Sequence, residues 1–154
     1  MSTDNYIIKA AEVKAHNLEV LSSEIRRDYF PDAPPLRIEW GRKPNRKRRR
    51  SIRLGSYHRG TELIRIHPYL NTSDVPSWFI QSIIHHEYLH YILGPSHDRR
   101  FHRQERRFRF HRESREWLNT NLPMLLGMRA KPRRATRRRL HRATGTPSTQ
   151  LNLF

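Results

Sequence analysis

Residues 74–93 constrain this chain more than any other stretch. Asp74-Val75-Pro76-Ser77 has the form of a helix start, a capping residue followed by proline in the first turn. Phe79, Ile80, Ile83, Ile84 and Leu89 then spread apolar surface around most of a helix, and Gly94-Pro95 stops it. A helix that apolar has to be largely buried. Yet it carries His86-Glu87-Tyr88-Leu89-His90 in its second half. Burying two imidazoles and a carboxylate without partners is costly, and a metal ion supplies the missing partner.

The spacing fits that reading. Residues four apart lie on one face of a helix, one turn up, so His86 and His90 can reach one ion. Glu87 then projects close enough to act as general base on a coordinated water, as in HExxH metallohydrolases. The chain has no cysteine, which excludes disulfides, Cys-ligated zinc ribbons and thiol catalysis. A third ligand must therefore be His or a carboxylate. His97 follows the helix break and is the expected one; His102 is its competitor. The metzincin pattern HExxHxxGxxH would need histidine at position 96, which is Ser96, so that pattern is rejected. The expected ion is Zn2+, on His86, His90 and His97. His85 should point to another face of the helix, as a core or supporting histidine. Tyr57, His58, Arg99 and His102 are the candidates for a second electrophilic group.

Around this helix the sequence reads as α+β. Ile7, Ala11, Leu18, Leu21 and Ile25 keep helical spacing, with Val20 beside the stripe, which predicts a helix over 5–29 capped by Thr3 or Asp4 and ended by Pro31. After the linker 31–35, Leu36 to Trp40 alternates as a strand does. Ile52 and Leu54 resume the alternation up to Gly55, and a third strand runs from Glu62 to His67. The expected sheet is a small antiparallel three-stranded meander. A further helix, carrying Phe101, Phe108, Phe110, Trp117 and Leu118 among its arginines, is expected over 98–118, with Pro123 as its limit. Glu105–Arg109 and Arg112–Glu116, four apart, are expected ion pairs on its surface. The organisation expected is one domain, 1–122, and a basic, disordered arm, 123–154.

At the residues of the metal motif the chain resembles the SprT-like metallopeptidases. The resemblance rests on His86-Glu87-Tyr88-Leu89-His90, then His97, then an aromatic four residues later, Phe101. The preceding order of a helix, strands around Ile38-Glu39-Trp40 and Ile64-Arg65-Ile66, and the motif helix is also similar. It covers roughly residues 6–118. The resemblance implies a zincin-like fold, zinc on His86, His90 and His97, and Glu87 as general base. Some relatives cleave proteins crosslinked to DNA. Asp98 stands where many relatives have Gly or Ser, and an arginine-rich arm replaces the Cys-based ribbon that several carry.

Charge points the same way for partners. Lys and Arg number 31 against 14 Asp and Glu, a formal net charge of +17. The excess is clustered at 42–53, 99–115 and 129–142, which fits sequence-independent binding to a phosphate backbone, DNA being the first candidate. Arg46, Lys47, Arg48, Arg49 and Arg50 in the first loop, and Arg133, Arg134, Arg137, Arg138 and Arg139 in the arm, are the expected nucleic-acid contacts. The function these features jointly indicate is a zinc metallopeptidase acting on nucleic-acid-associated protein. Its rivals are a metal-dependent nuclease or RNA-processing hydrolase and a non-catalytic nucleic-acid-binding zinc protein. No apolar run approaches the ~20 residues of a membrane span. Met1 to Asn5 lacks a signal-peptide core, so the cytoplasm is the expected compartment.

Overall fold

The computed structural model describes residues 15–43 and 51–127. Helix α1 spans Leu18–Tyr29 and starts at Asn17, whose side-chain oxygen accepts from the backbone N–H groups of Glu19 and Val20 at 3.1 and 3.2 Å. The helix expected over 5–29 is corrected at residues 15–17: Ala15 and His16 form a bend, and Thr3 and Asp4 lie outside the described residues. Ala15 is tied instead to Asn71, and His16 to the Thr72 carbonyl. Ile7 and Ala11 lie outside the described residues. Leu18, Leu21 and Ile25 face the core, whereas Val20 is about half exposed at 49%.

Three strands follow: β1 Arg37–Trp40, β2 Gly55–His58 and β3 Leu63–Ile66. Their order is β1-β3-β2, with β1 and β3 parallel and β2 and β3 antiparallel. The expected antiparallel meander is thus replaced by a mixed sheet. β2 takes the far edge, and β3 lies between it and β1. Leu63, Ile64 and Ile66 are accordingly buried. Arg65, the exposed residue of β3, faces Glu39 in register and pairs with it at 2.8 Å. Ile52 and Leu54 are buried as their alternation implies, but they precede the ladder rather than join it. Leu54 meets the sheet through its carbonyl, which accepts from His67 N–H at 2.8 Å.

Helix α2, Ser77–Leu93, is the centre of the molecule. It packs on α1, β2 and β3 and on the two helices that follow it. Its N-cap is Pro76, and no side chain caps it, so the capping role read for Asp74 is not taken up. Phe79, Ile80, Ile83 and Ile84 are completely buried. Removing one such side chain typically costs about 2–5 kcal/mol. A core of this kind leaves α2 little freedom to shift relative to the sheet.

The expected single helix over 98–118 is two helices, α3 Arg99–Glu105 and α4 His111–Leu125. The break at 106–110 contains neither Gly nor Pro. Tertiary contacts impose it. Phe108 is buried against Tyr29 and His85, and Arg109 N–H donates to the Tyr29 hydroxyl at 3.1 Å. Helix α4 also runs through Pro123 to Leu125, which is itself buried, so the expected limit at Pro123 is passed. Among the described residues no helix is long and apolar enough to cross a membrane.

Candidate metal centre

His86 and His90 project from α2 one turn apart, and His97 comes back to meet them from the segment between α2 and α3. Two local devices bring it there. Gly94 ends α2 at φ +90° and ψ −171°, backbone that is essentially reserved for glycine. Asp98 then starts α3, its carboxylate accepting from Phe101 N–H at 2.9 Å. Asp98, the departure from the SprT-like pattern, is therefore a helix cap. His97 sits immediately before it.

The ligand atoms of His86, His90 and His97 all lie within 4.8 Å of one another. His86 Nε2 is 3.1 Å from His90 Nε2 and 3.1 Å from His97 Nε2. Two nitrogens bound tetrahedrally to one zinc at the usual Zn–N length stand about 3.3 Å apart. Below them lies Phe101, fully buried, its ring centroid 4.7–4.8 Å from each imidazole. An aromatic four residues after His97 is thus the common floor of the three rings.

The tautomers decide what can sit between these nitrogens. His86 Nδ1–H donates to the Glu105 carboxylate at 2.7 Å, and His90 Nδ1–H donates to the Gly94 carbonyl at 3.0 Å. Both acceptors can only accept, so each ring keeps its Nδ1 proton there and Nε2 is the atom left to face a metal. Burial lowers the His86 pKa to about 4, so the ring is neutral near pH 7. Two Nε2 lone pairs facing each other at 3.1 Å repel unless a cation lies between them. The donor set fits a divalent metal that accepts imidazole, zinc first.

Glu105, which its spacing would pair with Arg109, turns to two histidines instead. Its carboxylate takes His86 on one oxygen and His102 on the other, at 2.7 and 3.3 Å. Partial burial would raise its pKa, but these hydrogen bonds hold it well below the ordinary range. A carboxylate behind a ligating histidine fixes the ring and strengthens its lone pair. The other expected pair, Arg112–Glu116, does form, at 2.9 Å. His102, the competitor for third ligand, is half exposed and stands outside the cluster, bonded to Glu105. His85 points away from it and is packed among Tyr29, Phe30 and Phe108.

Glu87 is buried against β2. A Cβ at Gly55 would lie 2.6 Å from its Oε1 and 2.5 Å from Ile83 Cγ2, so glycine is required there. Burial pushes the Glu87 carboxyl up to about 8, against the opposing pull of Arg53 and of the Tyr57 backbone N–H. Glu87, His90 and His97 line one cleft of about 360 Å³ together with Arg53, Ser56, Tyr57, Arg59 and Gly94-Pro95. Of the four candidates for a second electrophile, Tyr57 lines this cleft; His58, Arg99 and His102 do not. The expected nucleic-acid residues Arg46, Lys47, Arg48, Arg49, Arg50, Arg133, Arg134, Arg137, Arg138 and Arg139 lie outside the described residues.

Among solved structures the chain resembles the metallopeptidase zymogen jannalysin of Methanocaldococcus jannaschii. The TM-score is 0.54 at 20% sequence identity, covering 71% of this chain and 91% of that one. The fold is zincin-like. At that identity the likeness concerns the fold alone. No protein-family model matches the chain, and no curated protein matches it by sequence.

Proposed function

We propose that this chain is a zinc-dependent metallopeptidase. The observation that carries the reading is the meeting of three imidazole nitrogens, two of them from rings that line one cleft with the buried Glu87. Zinc, when bound, supplies Lewis acidity and a water acidified to near neutrality. The chain's own residues do the rest. Glu105 and the Gly94 carbonyl keep His86 and His90 turned with Nε2 inward. Glu87 takes the proton of the attacking water and returns it to the leaving nitrogen. Its buried carboxyl favours the protonated form, and nearby positive charge, from Arg53 and from a dication, restores the carboxylate that a base needs. Phe101 closes the floor of the site to solvent.

Two finer points belong to the same proposal. Membership of the SprT-like group is supported by Phe101, which stands four residues after His97 and packs on all three rings. A substrate associated with nucleic acid is supported by the net charge of +17 and by the exposed Arg99, Arg100, Arg103, Arg106 and Arg107 along α3 and its end. The test is hydrolysis of an unstructured protein by zinc-loaded wild type and Glu87→Gln, with and without added DNA. Wild type should cut, Glu87→Gln should keep zinc and lose turnover, and DNA should accelerate cutting in a salt-sensitive way. Equal turnover by the two proteins contradicts the role of Glu87, and turnover indifferent to DNA contradicts the nucleic-acid part alone.

A further inference from the structure

Two guanidinium groups share the cleft with Glu87. Arg53 stands just before β2 and Arg59 just after it, so they flank the edge strand that lines one wall. Both are exposed, and among the described residues neither forms an ion pair with an acid. Glu87 is the one carboxylate that lines the cleft, and the hydrolytic step uses it. Glu62 lies near Tyr57, but outside the cleft lining. Arg53 and Glu87 line the same cleft, so a substrate bond presented to Glu87 also passes near Arg53.

We propose that this cleft selects polypeptides with acidic side chains on either side of the bond to be cut, with Arg53 receiving one carboxylate and Arg59 another. The proposal rests on the hydrolytic reading of the same cleft. A guanidinium binds a carboxylate through a charge-assisted, often bidentate pair. A substrate lysine in the same place meets like charge. A phosphate backbone offers anions too, but the arginines of α3 and α4 do not line the cleft, so a polyanion has a separate face to occupy. Within the cleft, the anion must accompany a bond that Glu87 can serve, and a peptide side chain does this.

The test separates recognition from turnover. Short labelled peptides of one length, with Asp/Glu, Asn/Gln or Lys flanking the centre, are titrated by fluorescence anisotropy against the zinc-loaded full chain carrying Glu87→Gln. The titration is repeated after adding Arg53→Gln with Arg59→Gln, and separately after adding Arg106→Gln with Arg115→Gln as a charge-matched control outside the cleft. Acidic peptides should bind about fivefold tighter than neutral ones, a size expected of partly solvated charge pairs. That preference should vanish with the Arg53 and Arg59 changes and persist in the control. Three results overturn the proposal: no acidic preference, a preference that both double changes weaken alike, or a short DNA strand that depends on Arg53 and Arg59 more than the acidic peptide does. Wild-type cleavage of the same peptides separates the two levels. Peptides cut without acidic preference sink the recognition and spare the hydrolase. Acidic peptides held through Arg53 and Arg59 but never cut do the reverse.

Discussion

Glu87→Gln should stabilise the zinc-free protein, and only above a certain pH. The side chain is 2% exposed, and burial carries its pKa from an ordinary 4.5 to about 8. Because the folded value lies above the unfolded one, the folded state holds a proton that the unfolded state has released between those limits. Stability is therefore undiminished below pH 4.5, falls as pH rises through the window, and has lost its full increment above pH 8. The full increment is on the order of 5 kcal/mol, and on the order of 3 kcal/mol by pH 7. Gln has nearly the same shape and no such loss. Histidine titrations are common to both proteins and cancel in the difference. Denaturant unfolding in chelator at pH 5 and pH 8.5 measures it. The variant should match wild type within about 1 kcal/mol at the lower pH and exceed it by several at the higher. Added zinc should shrink the gap, because a dication beside the carboxylate favours its charged form. A difference between the proteins that does not change with pH would refute the reasoning, since it would mean that Glu87 is hydrated or paired in the folded state.

Other consequences follow from the same geometry. Glu105→Gln should weaken zinc binding about 10- to 100-fold in a competition with chelator, the usual cost of removing a carboxylate behind a ligating histidine. Arg109→Gln, the partner expected from sequence, should leave that affinity unchanged. Gly94→Ala should cost about 1–3 kcal/mol in unfolding experiments, from backbone strain at φ +90° alone, since nothing stands within 4 Å of the added methyl. It should also weaken zinc, because the Gly94 carbonyl orients His90. Burial lowers the His85 pKa to about 3, so its folded value lies below the unfolded 6.5. Its contribution is complete above pH 6.5 and is lost as pH falls toward 3. Unfolding measured across that range should have a shallower acid slope in His85→Leu than in wild type.

The parts of this site that lie close together in sequence were legible in it. The bounds of α2 follow from Pro76 and Gly94, whose backbone limits act locally, and His86 and His90 share a face because a helix repeats. His97 was legible because a helix break is the only way a third imidazole so near in sequence can return to the other two. Glu105 was not. Its partner His86 lies on another element, and spacing along one helix pointed to Arg109 instead. The same limit explains the sheet: alternation in Ile64 and Ile66 reveals which face is buried, not which strand is the neighbour. Ile7 and Ala11 continue the apolar spacing ahead of α1, but Asn17 before Leu18-Glu19 is a capping signal in its own right, and it is the residue that caps α1. The break between α3 and α4 is set by Phe108 and by the Tyr29 hydroxyl, which come from different elements, so no local residue announced it.

The claim on which the rest depends is that His86, His90 and His97 hold one ion together. Metal content of the purified full chain, by mass spectrometry after dialysis against zinc and then against buffer, tests it directly when set beside His86→Ala, His90→Ala, His97→Ala and His102→Ala. The account predicts one zinc per chain in wild type and in His102→Ala, and its loss in each of the other three. Zinc retained in full by His97→Ala, or absent from wild type, would contradict it.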